Sequence, residues 1–112
     1  MILDFKAMPE TEIKNFYEGE KAIFTHMFND GNNRIMLAKL APGASVGLHT
    51  HQGSSEVIFI LEGTGKAIYD GQEEELKPGT CHYCPMDHQH TLINNGKKDL
   101  VFYGVVPQHH AL

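Results

Sequence analysis

Cysteine is scarce in this chain, and no long apolar run occurs in it. The 112 residues include two cysteines, Cys81 and Cys84, which are too few for a disulfide framework and suit a reducing compartment. Every apolar run is far shorter than the roughly 20 residues that span a bilayer. The opening MILDFKAMPE also lacks the basic and apolar regions of a signal peptide. We therefore expect a cytoplasmic protein without a membrane partner.

Basic residues are also few. Nine Lys and Arg stand against 14 Asp and Glu, which gives a formal net charge of −5. The sequence contains no cluster of Lys and Arg that could displace counterions from the phosphates of DNA or RNA. Nucleic acid is therefore not expected as a partner.

Short strand-like segments separated by turn-forming sequences fill the chain. The hydrophobic content of 41% is enough for one core without disulfides. Turn signals recur at short intervals, as NDGNN (29–33), QGSS (52–55), EGTG (62–65), DGQ (70–72), KPG (77–79) and NNGK (94–97). Between them lie runs rich in β-branched and aromatic residues, such as KAIFTHMF, RIMLAKLA, EVIFILE and DLVFYGVV.

This pattern predicts an all-β sandwich or barrel in one domain over residues 1–112. Closing the sheets in this way protects strand edges. A short helical turn is expected between Pro9 and Phe16, with Thr11 as its N-cap. Strand 56–62 is apolar on both faces, since Ile58 shares a face with Glu56 while Phe59 points the other way. One face should line the interior, and the other should pack on a second sheet or on a second subunit.

The stretch GLHTHQGSSE concentrates metal-ligand residues at a turn. Alternation along a strand places His49 and His51 on one face, about 7 Å apart. The QGSS turn reverses the chain, so Glu56 returns beside them. Two histidines and a carboxylate leave coordination positions open, as suits Fe(II), Mn(II), Ni(II) or Zn(II). His90, which follows a turn at Pro85, is a candidate fourth ligand.

The spacing of these residues resembles the two sequence motifs of the cupins. The first motif spans residues 43–63 and is matched by Gly43, His49, His51, Glu56 and Gly63. The second spans residues 79–94 and is matched by Gly79, Pro85, His90 and Asn94. Asp87 departs from the second motif, which usually has glycine there. Because Asp tolerates a left-handed backbone, the expectation for the fold stands.

The resemblance implies a double-stranded β-helix, the jelly-roll barrel, with an irregular or helical N-terminal segment. It implies that one divalent Fe, Mn, Ni or Zn per chain is held by His49, His51, Glu56 and His90. It also implies a homodimer, as in small cupins generally. Metal cupins include dioxygenases, decarboxylases, isomerases and lyases, so the resemblance leaves the reaction open.

Further candidates for catalysis lie near the second motif. In the segment CHYC, strand alternation turns either His82 and Cys84 or Cys81 and Tyr83 inward, and the sequence does not decide between the pairs. His82 and Tyr83 are candidate proton donors, and Glu56 is a candidate base that leaves the metal. His26 and His88 are further candidate histidines for the pocket. A redox role for the two cysteines is not expected, because their spacing within a strand places the thiols on opposite faces.

Three functions fit these observations. The first is a metal-dependent enzyme acting on a small polar or oxygenated molecule. The second is a non-catalytic module that binds a sugar or an organic acid. The third is a metal site that only stabilises the barrel, against which open coordination positions argue. The sequence favours the enzyme.

Overall fold

Two antiparallel β-sheets form the fold. The computed structural model describes residues 1–110, which contain two short 3-10 turns, Phe5–Ala7 and Phe16–Glu18, and ten strands. The strands are β1 (Thr11–Lys14), β2 (Ala22–Asn29), β3 (Asn33–Leu40), β4 (Ser45–Thr50), β5 (Glu56–Glu62), β6 (Gly65–Tyr69), β7 (Gln72–Leu76), β8 (Cys81–Cys84), β9 (Gln89–Ile93) and β10 (Leu100–Pro107). One sheet has the order β1-β2-β3-β10-β5-β8 and the other β4-β9-β6-β7. The predicted all-β jelly roll is confirmed.

The core lies between the inner faces of the two sheets. Leu40, Ile58 and Leu100 are completely buried, and Phe102 is 1% exposed. Each such side chain contributes about 1.5–3 kcal/mol when it leaves water. Along β10 every second residue faces this core, so the amphipathic alternation of a sheet is preserved.

Asn94 fastens the end of the second motif to the rest of the barrel. Its side-chain amide donates to the carbonyls of Leu40 at 2.7 Å and Lys98 at 2.8 Å. Its side-chain oxygen accepts from the backbone N–H of Gly96 at 2.9 Å. Since Asn94 is fully buried, these bonds satisfy polar atoms that water cannot reach.

The N-terminal segment corrects one prediction. The helical turn expected between Pro9 and Phe16 is wrong, because β1 occupies most of that segment and pairs with β2, with Ile13 opposite Ile23. Ladder hydrogen bonds to β2 outweigh the local preference for a cap at Thr11. Helical geometry occurs on either side, in the two 3-10 turns.

The acidic strand β7 has no counterpart among the predicted strands. Its sequence QEEEL lacks apolar alternation, and it lies at the edge of the four-stranded sheet. Charged residues suit such an edge because they discourage pairing with other chains.

The outer face of β5 is not covered by a second sheet. Phe59 is 47% exposed and Leu61 39%, and on the neighbouring strands Tyr103 is 38% and Tyr83 54% exposed. Phe59 lies opposite Tyr103 in the pairing of β5 with β10. We call these four residues the outer patch. Packing on a second sheet is therefore wrong for this face, and packing on a second subunit stays a prediction.

Two smaller predictions are confirmed. Cys81 is exposed and Cys84 is buried, so the thiols lie on opposite faces of β8. Asp87 has a φ of 68°, the left-handed conformation expected where the motif usually has glycine.

Among residues 1–110, no helix is long and apolar enough to cross a membrane.

Candidate metal centre

A β-bulge in β4 aims the first two candidate ligands. Val46 lies opposite Leu92 and His49 opposite His90, with a register shift between the two pairs. Before the shift Val46 is buried, and after it His51 is buried. In an unbroken strand the alternation that buries Val46 would turn both histidines outward. The bulge therefore lets β4 and the residue directly after it supply a core residue and two ligands to the same interior.

Four side chains converge beside this bulge: His49, His51, Glu56 and His90. The Nε2 atom of His51 lies 2.9 Å from that of His90, and the Nε2 atom of His49 lies 3.2 Å from each of the other two. Oε1 of Glu56 is 3.3 Å from His51 Nε2 and 3.2 Å from His90 Nε2. The structure thus brings together all four residues assigned to a metal from the sequence.

Each of the three histidines has a partner for its other ring nitrogen. Nδ1 of His49 lies 2.8 Å from the carbonyl oxygen of Gly47, and Nδ1 of His51 lies 3.2 Å from Ser54 Oγ. A carbonyl oxygen only accepts, so His49 carries its proton on Nδ1 and has a lone pair on Nε2. Converging lone pairs and a carboxylate repel one another, and a cation among them removes that repulsion.

The distances also fit a metal ion. With metal–ligand bonds of about 2.1 Å, neighbouring ligands of an octahedral ion lie about 3.0 Å apart and opposite ligands about 4.2 Å apart. The three histidines are mutual neighbours, and Glu56 is a neighbour of His51 and His90. The Glu56–His49 separation is longer, though all four ligand atoms lie within 4.8 Å of one another. These four groups would therefore hold one divalent metal ion.

The protonation states suit a cation. Burial, together with the neighbouring His90 and His51, lowers the pKa of His49 to about 4. Burial by itself would raise the pKa of Glu56, but its close contacts with the rings of His51 and His90 lower it to about 2. A neutral His49 and an ionised Glu56 are the forms that bind metals.

A small cavity adjoins the cluster. His49, His51 and Glu56 line it, and its volume of about 30 Å³ holds about two water molecules. Most of its wall is apolar, including Met36, Leu92, Phe102 and Val106, and Arg34 and Thr25 are polar members. A ligand that uses this cavity without moving its walls has few atoms.

Tyr17 covers His49 from the N-terminal side. The two rings stack with centroids 4.0 Å apart and planes 9° from parallel. Gly47 permits this approach, since a Cβ there would lie 1.8 Å from the carbonyl oxygen of Tyr17. Sequence reasoning missed Tyr17, although a glycine two residues before His49 was a signal of close backbone approach. It also missed Arg34, for which the sequence carries no signal.

A family model described as a cupin domain matches residues 36–106. The match contains all four converging residues and covers well over half of the chain. The chain belongs to the cupin family. Residues 1–35 lie outside the match, so one domain over residues 1–112 stays a prediction.

The cupin resembles several known proteins. It is 38% identical over 68 residues to an oxalate-binding protein of Thermotoga maritima, a match covering 61% of this chain and 56% of that protein. It is 34% identical over 76 residues to a germin-like protein of Morus alba, covering 62% and 36%. The cupin thus spans about half or less of the length of these curated relatives.

Solved structures resemble it over almost the whole chain. The crystal structure of a predicted oxalate decarboxylase from Thermotoga maritima has a TM-score of 0.90 at 27% identity, covering 96% of this chain and 99% of that one. KdgF from Halomonas sp. has a TM-score of 0.78 at 14% identity, covering 97% and 94%. At that identity the second likeness concerns the fold alone.

The cupin places the other candidate residues away from the open side of the cluster. His82 is 3% exposed and turns inward with Cys84, which answers the question left open by CHYC. Tyr83 belongs to the pair that points outward and is on the outer patch, so the structure does not bring this candidate to the cavity. The pairing of His82 with the buried Ile58 decides this orientation.

Two further histidines lie outside the cavity. His26 packs on the N-terminal segment, with Nδ1 2.9 Å from the Met8 carbonyl oxygen and Nε2 3.5 Å from Glu10. His88 is half-exposed and contacts Asp70 and the hydroxyl of Tyr69. Neither histidine lines the cavity that adjoins the cluster.

Proposed function

We propose that this cupin is a metal-dependent enzyme for a small molecule that carries carboxylate or other oxygen ligands. One observation carries the proposal: four side chains of the types that bind metals converge beside a small cavity. A structural metal site is usually closed by its protein ligands, whereas a catalytic site keeps positions for water or substrate. We assign the ligands as His49, His51, Glu56 and His90.

The chain's own groups suit an anionic ligand. A divalent Fe, Mn, Ni or Zn bound there would supply a Lewis acid for oxygen atoms. Arg34 lines the same cavity, and its planar guanidinium can donate two parallel hydrogen bonds to a carboxylate. The largely apolar wall lowers the local dielectric, which strengthens both interactions. Glu56 is the base in this proposal, since it reaches both the cluster and the cavity.

Oxalate is the first ligand to test. Names containing oxalate are carried by one relative and by one structure with the same fold. Oxalate is small, doubly negative and can occupy two adjacent coordination positions through two oxygens. The experiment is calorimetric titration of metal-loaded protein with oxalate, followed by assays for formate with carbon dioxide and for oxygen uptake with hydrogen peroxide. Oxalate binding with turnover supports the enzyme, and no binding of oxalate would contradict this substrate.

A non-catalytic organic-acid binder is the second candidate. It is favoured by the positions of Tyr83, His26 and His88, which remove three candidate proton donors from the cavity. His82 lies on the far side of His90 and does not line the cavity either. Tight oxalate binding without any product, with each of the four metals loaded in turn, would favour the binder.

Replacing Arg34 should weaken anion binding without loss of the metal. A hydrogen bond to a charged group is worth about 1.5–3 kcal/mol, so Arg34→Met should raise the Kd for oxalate by about 10–100-fold. The Kd of Arg34→Lys for oxalate should lie between those of the wild type and Arg34→Met, since lysine keeps the charge but lacks the planar guanidinium. Lys39→Met is the matched control, because Lys39 lies outside this cavity. Unchanged oxalate affinity in Arg34→Met would remove Arg34 from the proposal.

We also propose a homodimer that covers the outer patch. Contiguous exposed aromatic residues such as Phe59 and Tyr103 are typical of interaction surfaces. Light scattering should give twice the mass of one chain, and Phe59→Lys should halve it. Leu48→Lys, at a leucine that is 56% exposed on the other sheet, should leave the mass unchanged. A wild-type protein of single-chain mass at every concentration would contradict the dimer.

A further inference from the structure

A buried histidine lies directly behind one of the proposed ligands. Nε2 of His82 is 2.9 Å from Nδ1 of His90, and the two rings are nearly parallel at 18°. On its other side, Nδ1 of His82 is 2.8 Å from Oε1 of Glu74. Glu74, His82 and His90 therefore form one continuous row that leads from the surface to the metal cluster.

The three residues come from different parts of the barrel. Glu74 lies on β7, at the edge of the four-stranded sheet, and shares a strand face with the buried Leu76. His82 lies on β8, at the edge of the six-stranded sheet. The hydrogen bonds through His82 thus join the edges of the two sheets next to His90.

The proton positions on the two imidazole rings decide which atom donates in each of these two hydrogen bonds. For His90 to bind a metal through Nε2, its proton must be on Nδ1, and that N–H donates to Nε2 of His82. His82 must then carry its own proton on Nδ1, which donates to the carboxylate of Glu74. If a neutral His82 instead donated from Nε2 to His90, the lone pair on its Nδ1 would face the ionised carboxylate of Glu74. Each hydrogen bond in the row therefore requires the next one.

We propose that Glu74 and His82 are positioning residues that hold His90 in its metal-binding tautomer and place a negative charge behind it, thereby raising the affinity of the site for metal. A carboxylate that accepts a hydrogen bond from a ligating histidine makes the imidazole a better donor to the metal. Here a second imidazole carries that effect over a longer distance, to a carboxylate that is half-exposed. The inference rests on the proposed metal site but on no particular substrate or reaction.

Zinc affinity measured by competition with a chelator tests this role. Loss of an outer partner of a metal-ligating histidine costs about 10–100-fold in affinity. His82→Phe should weaken Zn(II) binding within that range, and Glu74→Gln, which keeps an acceptor but removes the charge, should weaken it by about tenfold. His82→Gln should restore part of the loss seen in His82→Phe, because its side-chain oxygen accepts from Nδ1 of His90.

Glu75→Gln is the matched control for the charge of Glu74. It removes the same charge from the next residue of β7, which points to the other strand face. This variant should bind Zn(II) like the wild type. If Glu75→Gln lost as much Zn(II) affinity as Glu74→Gln, the effect would come from the general field of the acidic strand. That result would overturn the positioning role of Glu74 and His82.

The positions of the protons provide a readout that general loss of packing would not change. Nitrogen-15 NMR of the Zn(II)-loaded wild-type protein should find His82 and His90 both protonated on Nδ1. Protonation of His82 on Nε2, or equal Zn(II) affinity in wild type and Glu74→Gln, would overturn the positioning role while leaving the metal site in place. A wild-type protein that refuses Zn(II) would overturn the metal site and the positioning role with it.

Discussion

Replacing His51 with alanine should leave the protein unable to retain a divalent metal at one ion per chain. His51 is 5% exposed, and its Nε2 contacts Glu56, His49 and His90 within 3.3 Å. The substitution removes a nitrogen ligand at the centre of the cluster, so metal affinity should fall by more than the about 10–100-fold that loss of an outer partner costs. His90→Ala should have the same effect.

Elemental analysis of protein purified without chelator or affinity nickel is the measurement. His110→Ala is the control, because His110 is exposed and contacts Asn32 rather than the cluster. Iron in the wild type would direct the search to oxygen-consuming reactions, and manganese, nickel or zinc to lyase, isomerase or decarboxylase assays. Full metal content in both His51→Ala and His90→Ala would contradict the assignment of the ligands.

Gly63→Ala should destabilise the barrel by about 2–5 kcal/mol, from a left-handed backbone and an overpacked contact together. Gly63 has a φ of +78°, and a Cβ there would lie 2.2 Å from the carbonyl oxygen of Asp99. Since that atom belongs to the backbone, it cannot rotate away. The free energy of unfolding from urea titration measures the effect.

Gly71→Ala separates the two causes. Gly71 has nearly the same φ, +83°, but nothing lies within 4 Å of a Cβ built there. Gly71→Ala should therefore lower the free energy of unfolding by only about 1–2 kcal/mol, the cost of the left-handed conformation. Equal destabilisation in the two variants would show that the contact with Asp99 carries no energy.

The convergence of His49, His51 and Glu56 was predictable because spacing within strands and turns is a local property. Alternation brings His49 and His51 to one side, and a short turn returns Glu56. The fold class followed from the density of turn signals. His90 was already a candidate ligand, but local spacing could not connect it to the other three, and the resemblance to the cupin motifs was needed to assign it.

The surroundings of the cluster were not predictable, because they depend on contacts distant in sequence. Tyr17 reaches His49 only through a close approach of two backbones, and Glu74 reaches His82 only because two sheet edges meet. Alternation allowed either His82 or Tyr83 to face inward, and the pairing of β8 with β5 was needed to choose. The register of β1 on β2 likewise replaced the helical turn expected from Thr11.

The bulge in β4 changes which residues of the strand face the interior. Before it, even-numbered positions such as Val46 belong to the interior, and after it odd-numbered positions such as His49 do. A substitution pattern inferred from one half therefore gives the wrong inner face for the other half. The place of an insertion or deletion in this strand therefore matters more than its size. Loss of Leu48 would remove the extra residue of the bulge and still leave Val46 and the two histidines on one face, whereas one residue gained or lost at Thr50 would place His49 and His51 on opposite faces while both ligands remain in the sequence.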